Sequence, residues 1–359
     1  MPFVLPPELW IAVLLELAPL EGDYRARQDA LLSCCLVSRA FRSAAEPLLQ
    51  AWVRLGTNVD LVAAALDTNS AFGRAVRVLE ADVTPVETVL KLAKRMPELR
   101  ELRYSGEEDE EICLDELADA MPDLRHLSLD TCRLLRNSFR IVPVFSFLRS
   151  ICLFELHVSY NALETLLSPT TTPSLGAARL THLLDAASDD YALLDYSSLP
   201  HLNRLDFVHL NITTELLTIA PLPLNIPVLY DLDLAAPGEE DFAGIFATLD
   251  KLTAQHLQLL PRDFGEPDSA HYERYLTRFV RLAAWLAAPS TFLRTLSLST
   301  THRPSNFAGE VKNTLESVVG ACKERGIEVS WQNTSLEAEF RVSHGFWRRV
   351  RRLQVVVET

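Results

Sequence analysis

Leu124-Arg125-His126-Leu127-Ser128-Leu129-Asp130-Thr131-Cys132-Arg133-Leu134 is the stretch whose reading decides the fold. Its leucines recur as L-x-x-L-x-L, then a turn, then a cysteine and one more leucine. In an extended chain successive side chains point to opposite faces, so Leu127 and Leu129 face one way and His126, Ser128 and Asp130 the other. Such a strand buries one face only against further copies of itself. The small Cys132 suits a turn packed from both sides.

Further copies follow. Leu99-x-x-Leu102-x-Tyr104, Leu202-x-x-Leu205-x-Phe207, Leu229-x-x-Leu232-x-Leu234 and Leu293-x-x-Leu296-x-Leu298 repeat the hexad, and looser versions start at Val76, Leu148, Leu180 and Ala254. Most first positions stand 22 to 27 residues apart. Two gaps, of 32 residues from Leu148 and 39 from Ala254, hold the loop-forming strings Thr170-Thr171-Thr172-Pro173-Ser174 and Pro261-Arg262-Asp263-Phe264-Gly265-Glu266-Pro267. Between hexads the apolar spacing changes to three and four, as in Val86, Val89, Leu90 and Ala93. That spacing predicts helices over 85–96, 114–121, 161–167, 241–249 and 273–288. Proline before the next strand, as in Met96-Pro97, Met121-Pro122 and Leu199-Pro200, stops each helix, because the residue before proline disfavours the helical conformation. One hexad is common in any leucine-rich protein; five near one period are not. The pattern predicts an α/β leucine-rich-repeat solenoid, a parallel sheet lined by helices, over 56–335, with a helix or tail over 336–359.

Residues 1–55 read differently, with no hexad and short helices instead. Pro6-Pro7-Glu8 suits a helix start, and Leu9, Val13 and Leu17 give that helix an apolar face. Glu21 to Asp29 reads as a surface connection. A second helical stretch over 30–45 carries Leu32, Leu36 and Ala40 on one side, with Leu31 and Cys35 near it, before Pro47-Leu48-Leu49 and Trp52 close the module. So few residues bury a small share of their surface, so the repeats or a partner must complete the module.

Leu5-Pro6-Pro7-Glu8-Leu9, Leu14, Leu17, Leu36-Val37-Ser38-Arg39-Ala40-Phe41-Arg42, Pro47-Leu48-Leu49 and Trp52 together resemble an F-box, in the form that precedes repeats in proteins of mushroom-forming fungi. Phe41 stands where that family usually has tryptophan, and the connection from Ala18 to Ala30 is longer than in the shortest members. The resemblance implies a module that binds a Skp-type adaptor and, through it, a cullin-based ubiquitin ligase, with the repeats holding an unknown protein substrate. By the same resemblance the adaptor contacts are Leu5, Pro6, Leu9, Leu14, Val37, Ser38, Arg39 and Phe41. A helix in a groove, held by a few buried apolar anchors, is the physical form of such an interface. The competing reading of the same residues is a scaffold whose first helices only cap the solenoid.

Composition restricts the rest. With 48% hydrophobic and 23% charged residues the chain has ample material for a core. A net charge of -14 repels phosphate backbones and anionic lipid, which argues against nucleic-acid and membrane partners. The basic run Arg348-Arg349-Val350-Arg351-Arg352 reads as a solvated face. Leu9 to Leu15 is too short to span a membrane and lacks a basic flank, and the six cysteines are scattered, so an intracellular protein with reduced thiols is expected.

No H-E-x-x-H, C-x-x-C, G-x-S-x-G, G-x-G-x-x-G or G-x-x-x-x-G-K-[ST] occurs, and the 12 glycines form no phosphate loop. The acidic run Glu107-Glu108-Asp109-Glu110-Glu111 lacks the alternating ligands and glycine of a calcium loop. We therefore expect no catalytic residue, no metal and no cofactor. Ligand contacts are expected instead from the outward residues of the strands: Arg103, His126, Ser128, Asp130, Asp206, Asp231, Asp233, His256, Gln258, Thr295 and Ser297. The aspartates among them favour a basic patch on the partner.

Overall fold

The computed structural model describes residues 10–11, 13–14, 24–136, 143–181, 183–186, 201–212, 228–232, 242–251, 254–259, 270–289 and 291–332. They fall into two compact units. One holds the described residues up to Leu175 together with 183–186, and the other holds 176–181 and 201–332.

The first unit opens with helices α1 (Tyr24–Val37) and α2 (Arg39–Gln50). Ser38 separates them. Its backbone is extended and its hydroxyl accepts the Phe41 N–H at 3.2 Å, so it starts a new helix instead of continuing the old one. Helix thus begins at Tyr24, inside the expected connection over 21–29, and breaks at Ser38 within the expected single helix. Leu14, Leu31, Ala44 and Ala45 form the module's core, with Trp10, Ile11, Cys34, Cys35 and Phe41 packed against it.

The repeats of this unit follow as β1 (Trp52–Leu55), α3 (Val59–Thr68), α4 (Ser70–Ala75), β2 (Val78–Asp82), α5 (Val86–Ala93), β3 (Glu101–Ser105), β4 (Glu111–Cys113), α6 (Leu114–Ala120), β5 (His126–Asp130), β6 (Arg133–Leu135), β7 (Ser150–Phe154), β8 (His157–Val158) and α7 (Tyr160–Leu167). After β9 (Ala177–Thr181), which belongs to the other unit, β10 (Leu184–Asp185) returns to this one. Strands β1, β2, β3, β5 and β7 pair in that order, all parallel and in register. Val53, Leu79, Leu102, Leu127 and Ile151 make one inward row, and Leu55, Ala81, Tyr104, Leu129 and Leu153 the next; all ten are buried. Each such leucine contributes roughly 1.5–3 kcal/mol by leaving water. Trp52, expected to close the helical module, is the first residue of the sheet.

The turns after β2, β5 and β7 share one form. Val83, Thr131 and Glu155, each one residue past a strand, take φ of 51°, 50° and 50°, a left-handed conformation that costs side chains with a Cβ. The Val83 and Thr131 N–H groups donate to the carbonyls of Ser105 and Phe154, the last residues of the neighbouring strands. Beyond the turns, β4, β6, β8 and β10 pair as a second, narrow parallel sheet. Cys132, buried in this turn, lies where the repeat pattern placed it, and burial pushes its thiol far up.

The second unit comprises β9, a 3-10 turn at Leu202–Arg204, β11 (Phe207–Ile212), β12 (Val228–Leu232), α8 (Phe242–Lys251), β13 (His256–Leu259), α9 (Ala270–Ala287), β14 (Thr295–Ser299), α10 (Gly309–Arg325) and β15 (Glu328–Gln332). Its strands pair in chain order, all parallel. Leu180, Leu210, Tyr230, Leu257 and Leu296 form its buried inward row. Phe246 stacks on Trp285 at 5.3 Å, and the Trp285 Nε1–H donates to Asp250 at 2.9 Å, tying α8 to α9. α10 stops at Gly326, whose φ of 70° suits glycine.

Three hexads shift register here. The copy expected from Leu180 begins at Leu175, with Ala178 and Leu180 inward. The copy expected from Leu202 begins at Leu205, with Val208 and Leu210 inward. Leu229 lies opposite His209 and His256 in an outward row, while Tyr230 takes the inward place. Helices α3, α4 and α10 and strand β15 were not expected from the hexad pattern. The repeated alternation of parallel strand and helix makes the fold leucine-rich-repeat-like.

Candidate functional site

Two surfaces of the first unit offer themselves to partners. The first is on the helical module. Leu32, Leu36 and Val37 are 52%, 82% and 68% exposed, and Ser38, Arg39 and Ala40 beside them are exposed too. Leu32 and Leu36, four apart, share one face of α1. The helix turns Leu31 inward, with Cys34 and Cys35 half-buried beside it. Of the expected adaptor contacts, Val37, Ser38 and Arg39 stand on the exposed patch. Phe41 packs on Trp10 with ring centres 4.3 Å apart, and Leu14 is buried in the module's core, so neither faces outward fully. Leu5, Pro6 and Leu9 lie outside the described residues.

The opposite side of α1 is anchored. Tyr24 meets the Trp52 ring edge-on at 5.4 Å, and the guanidinium groups of Arg27 and Arg103 lie 5.6 and 4.6 Å from that ring. Trp52 is therefore buried between two cations on the outward side of the sheet, and its Nε1–H donates to Glu80 at 3.2 Å. Arg27 is itself buried and donates to the Leu48 carbonyl at 2.7 Å; burial lowers its pKa, against a smaller opposing effect of Tyr24. Arg103 is held by Glu101 and Glu80. It serves this stack rather than standing free for a ligand.

The second surface is the outward side of β3, β5 and β7. His126, Ser128 and Asp130 are half-buried there, with Ser105, Cys152 and Phe154 around them. His126 Nδ1 lies 2.8 Å from the Ser150 hydroxyl on the next strand. Asp130 accepts from Thr131 at 2.8 Å and Ser105 at 3.4 Å, yet burial, the largest influence, raises its pKa.

The corresponding side of the second unit differs. His256, Gln258, Thr295 and Ser297, expected to face a ligand, are all buried, as are Arg179 and His209 in the same rows. His256 Nδ1 lies 2.9 Å from the Thr295 hydroxyl, and burial, aided by Arg294, lowers its pKa to about 4, so the ring is neutral. Because a His–hydroxyl pair joins neighbouring strands in both units, it reads as a ladder bond between repeats. Asp206 is exposed but precedes its strand, because of the register shift, and its N–H donates to the Gly176 carbonyl at 2.7 Å. Asp231 pairs in register with Asn211 and Gln258. Asp233 lies outside the described residues.

Among the described residues no group of three or more histidine, cysteine, aspartate or glutamate side chains is placed to hold a metal ion, and no helix is long and apolar enough to cross a membrane. The six cysteines are free thiols.

No protein-family model matches the chain, and no curated protein matches it. Among solved structures it is similar to a chain from the crystal structure of a TLR13–ssRNA13 complex, at 18% identity and a TM-score of 0.32. The match covers 66% of this chain and 35% of that one. The chain thus spans about a third of the length of the protein it matches.

Proposed function

We propose that this protein is a non-enzymatic interaction scaffold whose helical module docks a Skp-type adaptor of a cullin ubiquitin ligase while the outward side of β3, β5 and β7 receives a protein substrate. The observation that supports it is the bare stripe of Leu32, Leu36 and Val37. A helix already anchored on one side gains nothing in its own fold from leucines held in water on the other, and contiguous exposed apolar surface marks a site of association. The patch coincides with Val37, Ser38 and Arg39 of the F-box-like string.

The test is binding of the full chain to a purified Skp-type adaptor. Leu36→Glu and Val37→Glu should each weaken it by about tenfold or more while leaving thermal unfolding unchanged, since neither side chain is in a core. An intact chain that ignores the adaptor defeats the reading.

One observation favours the second reading, in which α1 only caps the repeats: the stack of Tyr24, Arg27, Trp52 and Arg103. Under a capping role Leu36→Glu is silent in every assay, and Tyr24→Ala loosens β1 and β2. Phe41 is a poor probe for either, because it packs on Trp10.

A further inference from the structure

Four neighbouring strands of the first unit's wider sheet are each preceded by an arginine. Arg77, Arg100, Arg125 and Arg149 stand just before β2, β3, β5 and β7. Their backbones join them in series: the Arg100 N–H donates to Arg77 O at 2.9 Å, Arg125 to Arg100 at 2.7 Å and Arg149 to Arg125 at 2.8 Å. Strand spacing then sets successive arginines about 4.8 Å apart along one edge of the sheet. Four guanidinium groups share this edge with the carboxylates of Glu98 and Asp123. Glu98 reaches Arg77 and Arg100 at 3.7 and 3.8 Å, at the long limit of an ion pair. Arg125 and Arg149 have no ion pair among the described residues. Between these groups lies an open cavity of about 140 Å³ lined by Glu98, Arg100, Asp123, Arg125 and Phe147, and Phe147 is 51% exposed.

We infer that this arginine edge binds an extended acidic peptide segment, carrying carboxylates along Arg77 to Arg149 and an apolar side chain at the Phe147 end. The inference concerns a surface separate from the module's apolar stripe and does not depend on adaptor docking. Three chemical features favour this ligand. Guanidinium forks match carboxylates, and the four arginine backbones at strand spacing span roughly 14 Å, the length of about four to five extended residues. A net positive edge on a chain of net charge -14 gives oriented electrostatic attraction. The same net charge disfavours a nucleic acid, whose phosphates extend well beyond one edge.

The experiment uses the full chain and a fluorescein-labelled peptide of five glutamates ending in leucine, read by anisotropy at low salt. Its glutamine counterpart should bind about tenfold more weakly, and an Arg125→Glu/Arg149→Glu variant should lose a similar factor. On the unmodified protein, the peptide should also shield Arg125 and Arg149 from phenylglyoxal, read by mass spectrometry, which keeps the test valid if the double variant misfolds. Absent binding, equal affinity for the glutamine peptide, unshielded arginines, or tighter binding of a single-stranded oligonucleotide would each overturn the inference.

Discussion

The outward sides of the two units follow one plan and differ in what reaches them. In the first, β3 and β5 alternate strictly between buried leucine or tyrosine and half-open polar residues. In the second, all five residues of β14 and all four of β13 are buried, polar ones included. The same His–hydroxyl pairing has a half-open histidine at His126, on a buried Ser150, and a closed one at His256, on a buried Thr295. Direction along a strand is thus a property of the repeat; access varies from strand to strand, open on β3 and β5 and closed on β13 and β14. The polar residues of β3 and β5 are therefore within reach of solvent, whereas those of β13 and β14 are enclosed.

The largest effect expected from that difference is a charge placed at matched positions. Ser297→Arg puts a cation where the side chain is fully buried against Ser330 and should cost about 4 kcal/mol or more in urea unfolding. Ser128→Arg, half-open, should cost under about 0.5 kcal/mol. Equal costs would erase the contrast between the units.

Acid should sharpen it further. The folded second unit holds His256 at about 4 instead of its ordinary 6.5, so the unfolded chain binds the extra proton first. The contribution of His256 is then full above pH 6.5 and falls as pH drops from 6.5 to about 4, by up to about 3 kcal/mol. His256→Gln should flatten that slope, and hydrogen exchange of β13 and β14 amides across this range checks it.

The smallest effect lies in the turns. Val83 is 67% exposed and left-handed, so Val83→Gly should stabilise by about 0.5–1 kcal/mol in thermal melts. Thr131→Gly should gain less, because it gives up the bond to Asp130.

Much of this was legible in the hexads. Leu124 to Leu134 announced its strand, its turn and its buried cysteine because a single period of two ran unbroken through it. Leu202 to Leu210 misled because two frames fit, Leu202-Leu205-Phe207 and Leu205-Val208-Leu210, and only pairing with β9 selects the second. Helix α1 carries two apolar stripes, one through Leu31, Cys34 and Cys35 and one through Leu32 and Leu36, so periodicity alone did not say which was inside. The same two-sidedness is what a helix with a partner on each side shows. Ser38 was a readable helix start, a capping hydroxyl ahead of an apolar stretch. The burial of Ser297 was not readable, since alternation reports which way a side chain points and nothing of what covers it.

Strand β1 is the outermost strand of its sheet, and Trp52 on it is clasped by Tyr24 and Arg27. Shortening the chain to begin at Gly56 therefore removes more than a docking helix. It strips the border strand and leaves β2 with a row of bare N–H and C=O groups, the template on which foreign strands add and chains precipitate. In this protein the helical module is also the selvedge that keeps the repeat fabric from fraying.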